Sequence, residues 1–162
     1  MTQSHSYRNV PTDRDVQSVG VLVEETGFFR PDEVDVAAEL VQERLQKGEE
    51  SGYYFCFADD PEGNLLGYVC YGPTPCTVGS FDLYWIVVGK GAQGRGLGAE
   101  LDARTVEACR TMGGRKLYVE TSGKELYQPT RAFYRKTGYR EAAILKDFYD
   151  IGDDKVILEK DL

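Results

Sequence analysis

Apolar residues along the chain recur at two different periods, and each change of period marks an element. Residues 6–10 are short and strand-like, after which Pro11-Thr12-Asp13, with Asp15 one turn on, reads as a capped helix entry. Val16, Val19, Leu22 and Val23 then follow at helical spacing as far as Gly27. Beyond Phe28-Phe29-Arg30-Pro31 a second helix carries Val34, Ala37, Ala38, Val41 and Leu45 on one side and Glu39, Gln42, Glu43 and Gln46 on the other, closing over residues 48–52. Residues 53–58 and 65–71 are strand-like. They flank Asp59-Asp60-Pro61-Glu62-Gly63-Asn64, so the spacing predicts a hairpin. The clearest strand is 80–88, with Asp82, Tyr84, Ile86 and Val88 on one face and Phe81, Leu83, Trp85 and Val87 on the other.

A glycine-rich stretch separates this strand from a helix over 97–112. That helix turns Leu101, Thr105, Ala108 and Met112 inward and leaves Glu100, Arg104, Glu107 and Arg110 to solvent, until Gly113-Gly114 stops it. A strand over 116–121, a loop over 122–128, a helix opened by Pro129 and closed by Gly138, and two strands flanking 150–154 complete the chain. The order βααβββαβαββ predicts a single α/β domain of the α+β kind over residues 1–162, with a mixed, mainly antiparallel sheet flanked by helices. Strands 80–88 and 116–121 are expected to be parallel neighbours joined by the intervening helix in a right-handed crossover.

Composition narrows the function. With 162 residues, 41% hydrophobic, the chain is long enough to bury a core, and its 12% aromatic content excludes disorder as the main reading. The net charge of −8 disfavours nucleic acids and anionic membranes as partners. No apolar run reaches the length of a membrane span and the N-terminal stretch is polar, so a cytoplasmic location is expected. Cys56, Cys70, Cys76 and Cys109 match no paired metal spacing, and His5 is the single histidine, so no metal site is expected and the cysteines read as reduced, mostly buried thiols.

The segment from Val88 through Gly98 joins a buried strand to an amphipathic helix, where unpaired N–H groups and a positive helix end collect phosphates. A P-loop is excluded because Leu97-Gly98 stands where Lys and Ser/Thr would be. A dinucleotide fingerprint is met by Gly94, Gly96 and Ala99, with Glu120 as the ribose acid, but five residues separate strand from glycines and about 40 residues remain for the rest of a doubly wound sheet. The same loop also fits Gln-x-x-Gly-x-Gly at Gln93, Gly96 and Gly98. A second segment, from Thr130 through Tyr134 to Gly138-Tyr139, is similar to an Ala-Leu-Tyr-x-x-x-Gly-Phe helix and strand start. In these two motifs and their order the chain resembles the GNAT superfamily of acyl-CoA-dependent N-acetyltransferases.

The resemblance implies that acetyl-CoA is the acetyl-donor cosubstrate. Ile86, Val87 and Val88 would offer backbone groups to its pantetheine arm, and Gln93, Gly94, Arg95, Gly96, Leu97, Gly98 and Ala99 would hold its pyrophosphate. It departs from the family pattern at Lys90, where proline is common, and at Tyr127-Gln128-Pro129-Thr130, where the common asparagine is absent. Acetyl transfer needs a neutral amine: deprotonation at pH 7 costs about 1 kcal/mol for an α-amine and about 4.6 kcal/mol for a lysine-like amine. Asp82 resembles the base position of the histone acetyltransferase branch and Glu120 that of ribosomal-protein N-terminal acetyltransferases, while Tyr134 matches the tyrosine that meets the leaving thiolate. Phe28, Phe29, Tyr84, Phe148 and Tyr149 fall where the family selects acceptors, and Asp150, Asp153 and Asp154 stand ready for a cationic one. The expected partners are acetyl-CoA and a primary amine of a small molecule or peptide, with a homodimer left open. A non-catalytic acyl-CoA sensor is the alternative.

Overall fold

The computed structural model describes residues 4–162. Its strands are hydrogen-bonded in the order β1-β2-β3-β4-β5-β7-β6, a seven-stranded sheet that is mostly antiparallel, with four α-helices, in the chain order expected from the sequence. The elements are β1 (Ser6–Arg8), α1 (Asp13–Glu25), α2 (Pro31–Lys47), β2 (Tyr54–Asp59), β3 (Leu65–Pro73), β4 (Ser80–Val88), α3 (Leu97–Thr111), β5 (Lys116–Ser122), α4 (Gln128–Lys136), β6 (Arg140–Asp150) and β7 (Asp153–Asp161). The chain divides into two compact units, one running up to Gly72 and including Trp85–Thr105, the other made of Pro73–Tyr84 and Val106–Leu162.

In the first unit β1, β2 and β3 pair antiparallel. Period-2 placement puts Phe55, Phe57, Tyr68, Cys70 and Val87 against Val19, Leu22 and Val23 of α1 and Ala37 and Val41 of α2, which is the core that the helical spacing predicted. Tyr68 is wholly buried there and its hydroxyl has no hydrogen-bonding partner. The entry of α1 is tied by Asp15, whose carboxylate accepts from the Thr12 N–H at 2.6 Å. That carboxylate also takes a two-toothed grip from Arg8, both bonds 2.6 Å, while Arg8 Nε donates to Asp59 at 2.5 Å and the guanidinium lies 4.5 Å from the Phe57 ring centre. Asp59 ends β2 rather than opening the turn, a correction that goes with its pairing to Ser6 and Leu65 and with the Arg8 ion pair that lets its carboxylate be buried. Burial works to raise the Asp15 carboxyl, but the Arg8 and Thr12 bonds outweigh it and hold it below the ordinary aspartate value.

In the second unit β4 and β5 run parallel, with Asp82 opposite Tyr118 and Leu83 opposite Val119, as the strand–helix–strand pattern predicted. β7 pairs antiparallel with both β5 and β6. The inward stripe of α3 is corrected: Leu97, Leu101, Asp102, Thr105, Val106 and Cys109 are buried, whereas Met112 falls past the last helical residue and is exposed. Thr105 fits the interior because its hydroxyl donates to the Leu101 carbonyl at 2.9 Å. Cys56, Cys70 and Cys109 are buried, and Cys76 is exposed with φ at +63°.

Candidate active site

In the first unit β4 ends at Val88, and the Gly89 N–H that follows donates to the Leu66 carbonyl at 2.8 Å. A single 3-10 turn, Lys90–Ala92, plants Ala92 in the interior. The Gln93 side-chain amide then reaches back to the Val88 carbonyl at 3.0 Å, so this glutamine fastens the loop to the strand end. Gly94 and Gly96 take φ of +78° and +81°, a region that glycine enters freely. The first bond of α3 runs from the Glu100 N–H to the Gly96 carbonyl at 3.1 Å. The N–H groups of Leu97, Gly98 and Ala99 are left without an intrahelical acceptor at the positive end of the helix. A Cβ added at Gly91, Gly94 or Gly96 would meet nothing within 4 Å. Open space in the loop before the free N–H groups of a helix start suits a phosphate-sized anion, and Arg95 of the same loop is exposed.

Val87 turns its side chain into the core, while Ile86 and Val88 are half-buried on the other face of β4. Trp85 stands edge-on to Phe29 at 5.0 Å, and Phe29 in turn meets Phe28 at 5.4 Å. Phe29 lines a cleft of about 190 Å³ together with Glu24, Pro31, Val34 and Asp35.

In the second unit Asp82 and Glu120 share one sheet face, because Asp82 lies opposite Tyr118 and Glu120 is two residues further along β5. Their surroundings differ. Asp82 is half-buried and accepts from the Thr74 hydroxyl at 2.8 Å. Burial pushes its carboxyl above the ordinary aspartate value, the Thr74 bond pulls it partly back, and the Glu120 charge adds to the rise. Glu120 is exposed and pairs with Lys155 at 2.8 Å. The Lys155 ammonium lies 3.6 Å from the centre of the Phe148 ring and 5.7 Å from that of Tyr149. Tyr84, Phe148 and Tyr149 are exposed.

Tyr134 is buried on α4, edge-on to Phe133 at 5.4 Å and Tyr139 at 5.3 Å. The segment before α4 is more ordered than the loop expected there: β5 continues to Ser122, a 3-10 turn spans Glu125–Tyr127, and Arg131 holds the carbonyls of Ser122 and Lys124 at 2.7 and 2.8 Å. The acidic residues near the last turn are also corrected. Only Ile151 and Gly152 form that turn, and the carboxylates around it are engaged: Asp150 by the Ile151 N–H, Asp153 by Ser122 and Lys124, and Asp154 by Lys146 and the Asp147 N–H. Sequence reasoning missed Thr74, Lys155 and Arg8. Each acts through a residue outside its own element, and no local spacing signals it.

Fold and loop together define an acyltransferase. The chain belongs to the acetyltransferase (GNAT) family, whose model matches residues 21–139. A solved structure assigned to GNAT-family acetyltransferases, from Desulfovibrio desulfuricans, is 47% identical over 98% of this chain and 99% of its own, with a TM-score of 0.96. The fold is shared with an aminoglycoside 6'-N-acetyltransferase complexed with coenzyme A, at 19% identity and a TM-score of 0.78 over 98% of this chain and 96% of that one. It is shared too with a ribosomal-protein-alanine N-acetyltransferase from Brucella melitensis, at 22% identity and a TM-score of 0.75 over 97% and 99% of the two chains. No protein of curated function matches the sequence. No helix among the described residues is long and apolar enough to cross a membrane.

Proposed function

We propose that this acetyltransferase is a single-domain enzyme that moves an acetyl group from acetyl-CoA to a primary amine by direct attack. The observation that carries the reading is the free N–H groups of Leu97, Gly98 and Ala99 at the start of α3, beside a loop with open space at Gly94 and Gly96. A helix start of this kind favours a pyrophosphate, and the backbone of Ile86 to Val88 is the stretch expected to hold the pantetheine arm. Gln93 supports the site by shaping the loop.

Asp82 is the favoured proton acceptor. A base works best when its pKa approaches the working pH, and burial moves Asp82 in that direction, whereas Glu120 already has a cationic partner. The amine nitrogen forms a C–N bond at the thioester carbon, its proton passes to Asp82 directly or through water, and the C–S bond breaks to release the thiolate. Tyr134 donates a hydrogen bond to that thiolate. With a phenol near 10 and a thiol near 8.5, full transfer is modestly uphill, so stabilisation is the main role. A cysteine intermediate is disfavoured because burial raises the Cys56 and Cys70 thiols. The acceptor is a cation with an apolar flank, the partner suited to Phe29 beside Glu24 and Asp35.

Calorimetry with coenzyme A and NAD, followed by thiol release from acetyl-CoA with amino acids, polyamines, aminoglycosides and peptide N-termini, tests the proposal. Coenzyme A is expected to bind, NAD not, and at least one amine class to release thiol. Gly96→Val should abolish coenzyme binding, since its side chain would enter the open space, and should also lower the melting temperature, because a φ of +81° strains a β-branched residue. Micromolar coenzyme binding with no thiol release from any class would instead mark an acyl-CoA sensor.

A further inference from the structure

The two oxygens of the Asp82 carboxylate keep different company. Oδ2 accepts from the Thr74 hydroxyl at 2.8 Å, and among the described residues nothing else is hydrogen-bonded to this side chain. Oδ1 is the oxygen left for a proton, and its direction is set by the bond on its neighbour. Thr74 is itself held in place. Its N–H donates to the Ser80 carbonyl at 2.9 Å, and its own carbonyl accepts from the Thr77 hydroxyl at 2.7 Å. The far end of the same loop is anchored by Arg115, whose guanidinium donates to the Val78 carbonyl at 2.9 and 2.5 Å and whose N–H donates to the Gly79 carbonyl at 2.7 Å. A half-buried threonine fixed in this way is a donor set before any substrate arrives.

We propose that Thr74 is a positioning residue for acetyl transfer: its hydroxyl aims the Asp82 carboxylate and leaves Oδ1 to take the amine proton, directly or through water. The proposal rests on the reading of Asp82 as the proton acceptor. Thr74 acts through Asp82 alone.

A hydroxyl donated to a carboxylate favours its charged form, so removing the hydroxyl moves the Asp82 titration to higher pH. The other titratable groups on this face of the second unit are Tyr84 on β4, Tyr118 and Glu120 on β5, and Lys155, the partner of Glu120. Lys116 on β5 is turned to Asp161 and Glu159. Gly72 and Pro73, which lead into Thr74, carry no titratable group. A change at Thr74 leaves all of these in place, so a displaced titration reports the lost bond.

Thr74→Val and Thr74→Ala remove the hydroxyl, and Thr74→Ser keeps it. Carboxyl carbon NMR of the ligand-free protein, with the Asp82 signal identified by its loss in Asp82→Asn, follows the titration without any need for activity. The midpoint should rise by about one pH unit in Thr74→Val and Thr74→Ala and stay in place in Thr74→Ser. Rates with acetyl-CoA and the amine that releases thiol fastest should show the acid-side limb displaced by the same amount. Turnover above the limb should fall about tenfold with the KM for acetyl-CoA within about twofold, and Thr74→Ser should restore turnover to within about threefold. An unmoved midpoint overturns the proposal, as does a Thr74→Ser chain that behaves like Thr74→Val. If Asp82→Asn removes the limb and Thr74→Val leaves it unmoved, Thr74 alone is misassigned. If Asp82→Asn keeps the limb, the reading of Asp82 as the base falls and takes the role of Thr74 with it.

Discussion

At Asp82 and Glu120 two carboxylates on one strand face live under opposite conditions, and the difference is measurable. Asp82→Asn should remove the acid-side limb of the rate profile and most of the turnover, while Glu120→Gln should keep the limb and move it to lower pH, because a neighbouring negative charge is gone. Stability supplies an independent check of sign. A carboxyl whose folded pKa is raised costs nothing while protonated, and its burden appears as pH rises through the folded value. Asp82→Asn should therefore raise the melting temperature near about pH 8 and leave it unchanged near about pH 3. If Glu120 rather than Asp82 abolishes the limb, the roles are exchanged. Tyr134→Phe retains a buried ring and loses only a hydroxyl, so turnover should fall about 10- to 1000-fold with coenzyme affinity little changed. Equal loss of affinity and turnover would make Tyr134 a packing residue.

Between elements, one cation ties β1, α1 and β2 together. Arg8→Met removes the partner of Asp15, which is 2% exposed, and of Asp59, so it should destabilise the fold by roughly 3 kcal/mol in denaturant titration. A loss below about 1 kcal/mol would mean that the two carboxylates find water instead. This tie was invisible in the sequence for a plain reason. Capping of α1 by Thr12 and Asp15 is a contact within one turn, and the alternation of β4 repeats every second residue, so both were legible from spacing. Arg8 meeting Asp59, Lys155 meeting Glu120 and Thr74 meeting Asp82 depend on which strands lie side by side, and nothing in a single sequence records that directly. The glycine turn that leads into α3 was legible because loop and helix start are contiguous. The role of Gln93 was only half legible: its position in the motif could be read, but its bond to the Val88 carbonyl needs the folded loop. Met112 misled because a repeating apolar spacing runs on past the point where Gly113-Gly114 ends the helix.

For the whole molecule the acidic side of the pH scale is the vulnerable one. Asp15, Asp154 and Asp161 are held below the ordinary carboxylate value, Asp161 at about 2, by the bonds from Arg8, the Asp147 N–H and Arg140 respectively. Groups depressed in this way contribute stability that is present above their unfolded pKa and disappears as pH falls through the folded one. The melting temperature should be flat from about pH 7 to 5 and fall between about pH 4 and 2, with Arg8→Met losing the early part of that fall. A profile with its steepest loss near neutrality would contradict this assignment. The distribution of thiols has a different consequence. Three cysteines are sealed inside and Cys76 alone is at the surface, so a chromogenic disulfide reagent added to native protein should modify one thiol per chain, and four after unfolding. Any assay that follows released coenzyme with such a reagent will start from a signal equal to the enzyme concentration. A Cys76→Ser chain would give a clean baseline, and the native chain offers the same residue as a ready attachment point for a single fluorophore.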